Sequence, residues 1–132
     1  MANAIYPKAK EKFLDAVIDL PSDTIKIALI DTGAYTYNNA DEFWSSASGA
    51  IVGTEVTLAS KTITGGVFDA ADVTFTSVSG VSVEALIIFK DTGSAATSPL
   101  IMYIDVAASG LPVTPNGNNI DVQFNASGIF AL

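Results

Sequence analysis

The chain of 132 residues contains no cysteine, no histidine and no arginine, and only 15% of its residues are charged. Missing cysteine and histidine exclude disulfides, Ser-His and Cys-His catalysis, and the usual zinc ligand sets. The six basic residues are all lysines and face 14 acidic ones, a net charge of -8. Half of that positive charge sits on Lys8, Lys10 and Lys12, so the chain from Phe13 onward carries a net -10. Phosphate contacts rest mainly on Lys and Arg, and such a body repels a polyanion, which argues against a nucleic-acid partner. Also missing is any run approaching ~18 uninterrupted apolar residues, and the lysine-rich start has no apolar signal segment. The sequence therefore reads as neither a membrane protein nor a signal-bearing one.

Apolar residues, in contrast, are plentiful: they make up 49% of the chain, with a mean hydropathy of +0.43. At this length that predicts one domain with a substantial core and excludes disorder. The surplus predicts that some apolar surface is covered by another copy or a partner.

The richest stretch runs from Val81 to Val106. Val81–Lys90 and Pro99–Val106 are two apolar segments joined by a small-residue loop, the pattern of a central β-hairpin. Ala85 to Phe89 lacks in/out alternation, so both faces of that strand are expected to be covered. Upstream, residues 1–12 read as an arm leading into a helix, and residues 13–132 as a single β-rich domain. Pro7 suits a helix start, and Phe13, Leu14, Val17 and Ile18 share one side of a helix over Lys8 to Ile18. That helix is expected to dock on a neighbouring subunit or on the chain's own sheet.

Strands are predicted at Thr24–Ile30, Ala50–Leu58, Lys61–Thr64, Gly66–Phe68, Val73–Val78, Ile120–Phe124 and Ile129–Leu132, separated by Gly, Asp, Asn and Ser turns. Between them, Asn38, Asn39 and Asp41 are suited to cap a short helix holding Phe43 and Trp44. Many short strands, one early helix and no βαβ rhythm give a mainly β fold. The expected architecture is an antiparallel β-sandwich or barrel with one short N-terminal helix.

Candidate chemistry is sparse. Asp31-Thr32-Gly33 follows an apolar strand, as in the catalytic turn of retroviral-type aspartic proteases, and Asp91-Thr92-Gly93 repeats the tripeptide. The same tripeptide is also what ends a strand, a side chain that bonds its own backbone followed by a residue free to take positive φ. Lys90 before the second aspartate holds that neighbour ionised. Asp69 and Asp72, with Asp31, Asp91, Asp105 and Asp121 near strand ends, are candidate Ca²⁺ ligands without a ligand-loop spacing. Trp44, with Phe43, Tyr35 and Tyr37, reads either as an exposed aromatic platform or as a satellite core under its loop.

Taken together, Ala2–Tyr6, the Phe13-Leu14 helix, Asp23–Thr32, Tyr35-Thr36-Tyr37 and Phe68–Phe75 resemble a group of small tailed-bacteriophage proteins. The likeness continues through Val83-Glu84-Ala85, Lys90–Gly93, Pro99-Leu100-Ile101, Gly110–Gly117 and Ile129-Phe130. This resemblance implies a virion structural component, foremost a capsid decoration (cement) protein on the outside of the head. Its partners would be the major capsid protein and further copies of itself, as a homotrimer about local three-fold positions. Tyr6, Lys8, Lys10 and Lys12 on the arm, with Phe43 and Trp44, are the expected contact residues. No catalytic residue, metal or cofactor is expected. A head fibre, tail or adaptor component, and an aspartic peptidase using Asp31, are the rivals.

Overall fold

A computed structural model describes residues 3–105 and 111–132. Met1 and Ala2 of the predicted arm, and Val106 and Gly110 at two predicted boundaries, lie outside the described residues.

The hairpin is the centre of the molecule. β7 (Ala85–Lys90) pairs antiparallel with β8 (Leu100–Ile104), and β2 (Ile25–Ile30) flanks β7 in unbroken register from Ile25↔Lys90 to Ile30↔Ala85. β3 (Ile51–Thr57) closes one side and the two-residue β1 (Ala4–Ile5) the other, giving the order β1-β8-β7-β2-β3. Because β1 and β3 remain edges, this sheet is open rather than a closed barrel. β8 and Ala85 to Phe89 are buried throughout, which requires cover on both faces.

Side chains alternate across a strand, so Ala28, Ala85, Ile87, Phe89 and Tyr103 share one face. Trp44 stacks on Phe89 there, with ring centroids 4.3 Å apart and planes 6° from parallel. Tyr37 lies against Tyr103 at 5.3 Å. On the opposite face, Leu86 and Ile104 line a hollow with Val122, Phe124 and Ile129. That side is roofed by two small sheets. One is the ribbon of β6 (Val73–Phe75) and β9 (Ile120–Val122); the other is β4 (Thr62–Thr64), β5 (Val67–Asp69) and β10 (Phe130–Ala131). The result is mainly β, antiparallel and sandwich-like, as expected, with one helix.

Three local expectations need correction. The helix, α1, runs from Pro7 to Leu14 rather than to Ile18. Ala16 turns left-handed at φ 60°, and the N–H groups of Ala16 and Val17 donate to the carbonyls of Phe13 and Lys12, which closes the last turn. Ile18 then drops into the core while Val17 stays outside.

The segment before Trp44 is extended, not helical. Phe43 bridges Pro99, the Trp44 N–H donates to the Ser98 carbonyl at 2.7 Å, and helical turns begin only at Trp44, as two short 3₁₀ turns, Trp44–Ser46 and Ser48–Ala50. Asn38 accepts from the Ala40 N–H, so it caps a turn instead.

The N-terminal arm belongs to the body. Ala4 pairs with Tyr103 and Ile5 with Met102, and Tyr6 and Ala9 are fully buried. A boundary between Lys12 and Phe13 falls inside α1.

Candidate interaction surface

Strand ends hold most of the acidic side chains, and their geometry shows what each does. At the end of β2 the Asp31 carboxylate accepts from the Gly33 N–H at 2.9 Å. At the end of β7 the Asp91 carboxylate accepts from the Gly93 N–H at 2.9 Å and pairs with Lys26 at 3.0 Å. The Gly93 hydrogen bond, then that to Lys26, holds the Asp91 carboxyl below the usual range. β2 and β7 are antiparallel over six residue pairs. The two aspartates therefore lie at opposite ends of the sheet, roughly 20 Å apart, too far to share a proton within one chain.

The loop from Asp91 to Ser98 is closed on itself. Buried Ser98 accepts the Thr92 N–H at 3.0 Å and donates its hydroxyl to the Ser94 carbonyl at 2.7 Å. Asp69 accepts from the adjacent Ala70 N–H, and Asp72 accepts from the Phe124 N–H, tying the segment before β6 to the one after β9. Among the described residues no three His, Cys, Asp or Glu side chains converge as a metal site.

Of the six expected contact residues, the structure gathers some into the interior. Tyr6 is fully buried and its hydroxyl lies 2.9 Å from that of Tyr35. Tyr35 in turn donates to the Asp41 carboxylate at 2.8 Å, so the proton between the two tyrosines is supplied by Tyr6. Trp44 is buried on Phe89, which makes it the satellite core and withdraws the exposed platform. Lys12 is bonded to Glu42 at 2.5 Å, with its ammonium 5.3 Å from the centre of the Phe43 ring. That contact holds the Glu42 carboxyl low, and leaves neither Lys12 nor Phe43 as a free contact. Lys8 pairs with Glu11 at 3.5 Å. Lys10 alone is exposed and without an ion pair among the described residues.

The tyrosine cluster has a measurable signature. All four tyrosines of the chain meet there, with Tyr6 and Tyr37 rings 5.1 Å apart. Burial raises every one of their phenols above the usual value of 10.0. A raised acid group contributes stability that is complete below its unfolded pKa and is lost as pH climbs beyond it. The buried Tyr6 and Tyr35 phenols are thus expected to stay protonated in the folded chain at about pH 11. They should ionise only together with loss of the fold; titration of all four tyrosines near pH 10 in a folded chain would contradict the cluster.

What the fold leaves uncommitted is apolar. Leu14 is 88% exposed, Leu132 71% and Ile63 49%. Two shallow grooves of about 430 and 410 Å³ run between these residues and share the side chains of Phe13 and Leu132, which stand as a ridge dividing them. One groove is floored by Ile18, Leu20, Phe68 and Phe130, the other by Ile5, with Lys10 on its rim.

Local structure explains the exposure. The left-handed stop after α1 strands Leu14 on the surface. Gly65 and Gly66, both at positive φ (61° and 79°), make the tight turn that brings Thr64 back against Val67 and projects Ile63 from an edge strand. Contiguous apolar patches of this kind are uncommon on monomers and usually mark a contact. Leu14 was legible as apolar and helical, and docking of that helix on a neighbouring subunit is one of its two expected outcomes; its early stop after Leu14 was not legible. Compared with known families and curated proteins, the chain matches no family model and no curated sequence.

Proposed function

We propose that this chain is a virion structural protein of a tailed bacteriophage, a decoration protein that binds the outside of the assembled head and works by contact rather than by catalysis. The observation that carries this reading is the ridge-and-groove apolar face around Phe13, Leu14 and Leu132, which suits a chain that works in an assembly with protein neighbours, without itself marking the shell contact. Among the described residues it is a large surface not already engaged inside the fold, whereas Asp31, Asp69, Asp72 and Asp91 each accept a backbone N–H and Asp91 also pairs with Lys26. The near full-length resemblance to small phage virion proteins supports the same reading. So does an acidic body built on a sheet buried on both faces, a rigid part suited to facing solvent.

The mechanism is mass action. A protein that binds the finished shell and not its separate subunits stabilises the shell by the free energy of that binding. The test is co-sedimentation of the full-length chain with heads assembled without it, next to unassembled capsid subunits. The expected result is saturable binding to heads alone, with a higher temperature of head disruption. Absence of head binding would sink the proposal.

A further inference from the structure

We infer that the ridge-and-groove face is closed by a second copy of this chain, in a two-fold arrangement with the two α1 helices antiparallel across Leu14. This rests only on reading the face as an interaction surface and not on the identity of any shell.

The first argument is shape. A two-fold contact must be self-complementary, the same patch meeting itself. Here the Phe13-Leu132 ridge stands beside grooves of about 430 and 410 Å³, so the ridge of one copy has a groove to enter on the other, and the reverse.

The second is charge. Helix N-termini favour acidic neighbours and C-termini basic ones. α1 has no acid in its first turn, carries Lys8 and Lys10 near its start and Lys12 in its last turn, and is followed by Asp15. Asp15 and Asp19 are both exposed and, like Lys10, form no ion pair among the described residues. Antiparallel pairing across Leu14 sets Lys10, one turn before Leu14 in one copy, beside the Asp15–Asp19 turn that follows Leu14 in the other. One chain therefore holds both halves of the complement. An acidic partner would satisfy Lys10 but would face Asp15 and Asp19 with like charge.

The homotrimer expected from the sequence would need two different patches. This face offers one patch that matches itself.

The experiment is the solution mass of the full-length chain by light scattering or sedimentation equilibrium, across a dilution series and without heads. Wild type is expected at twice the 13.6 kDa chain mass. Leu14→Asp, a change at an exposed position, is expected to be monomeric with an unchanged circular dichroism spectrum. Lys10→Glu should weaken self-association at least tenfold, and adding Asp15→Lys and Asp19→Lys to it should restore the dimer. A monomer at every concentration, or an oligomer that survives Leu14→Asp, would overturn the inference. If the charge exchange fails to restore association, the antiparallel helix contact is wrong. Head binding is measured separately: a dimer that does not bind heads overturns only the decoration reading, and head binding by a chain that stays monomeric overturns only this inference.

Discussion

Replacing Tyr6 by alanine is expected to remove about 3–5 kcal/mol of stability, the usual cost of truncating a fully buried aromatic side chain. Domains of this size hold only about 5–15 kcal/mol in total, so the variant should be near the edge of folding at 37 °C. The loss is concentrated because Tyr6 joins three parts of the chain at once. Its ring lies 5.1 Å from Tyr37 and its hydroxyl meets Tyr35, which holds Asp41, and these side-chain contacts are what alanine removes; the N–H that donates to the Ile101 carbonyl remains. Tyr6→Phe separates the terms: it keeps the packing and deletes one buried hydrogen bond, at a cost of about 1 kcal/mol. Urea unfolding of both variants decides the matter. Equal small losses in the two would show that the arm is only loosely attached.

Trp44→Ala is the second large effect, at about 3–5 kcal/mol. Its indole stacks on Phe89, a residue of the central strand, and its backbone N–H ties the Tyr35–Ala50 loop to the start of β8. For a chain of this length the melting temperature should fall by roughly 10–20 °C. Trp44→Phe, which retains an aromatic face against Phe89, should recover most of it. A calorimetric scan of the two variants checks this, and a shift of a degree or two for the alanine variant would mean that the loop lies free of the sheet. Neither prediction depends on what the protein binds.

These two residues also mark what sequence could and could not say. The central hairpin was legible because Ala85–Phe89 and Leu100–Ile104 are apolar at consecutive positions, and only a sheet covered on both sides tolerates that. The strand ends at Asp31 and Asp91 were legible as turns for the same local reason that the structure displays, a carboxylate accepting the N–H two residues on. Tyr6 was not. It stands between an apolar dipeptide and a proline, a context that reads as an arm, and its burial depends on Tyr103, Tyr35 and Tyr37, which are distant in sequence.

The apolar face shows the opposite failure. Phe13, Leu14, Val17 and Ile18 have helical spacing, yet Ala16 takes a conformation that glycine normally fills. No local signal announced that stop. The expected helix could dock on a neighbouring subunit or on the chain's own sheet, and the stop divides its apolar side between the two, with Ile18 buried and Leu14 and Val17 exposed. Of the four lysine or tyrosine positions expected to touch a neighbour, Tyr6, Lys8 and Lys12 each have a partner inside the chain, and Lys10 is the one left exposed and without an ion pair among the described residues.

The pairing of Ala4 with Tyr103 has a consequence for biosynthesis. A ribosome adds about 5–20 residues per second, so the first strand waits roughly 5–20 s for its partner to be made. Throughout that interval Ile5 and Tyr6 have no β8 to join. The main sheet therefore closes at this edge only after β8 is made, roughly a hundred residues after β1.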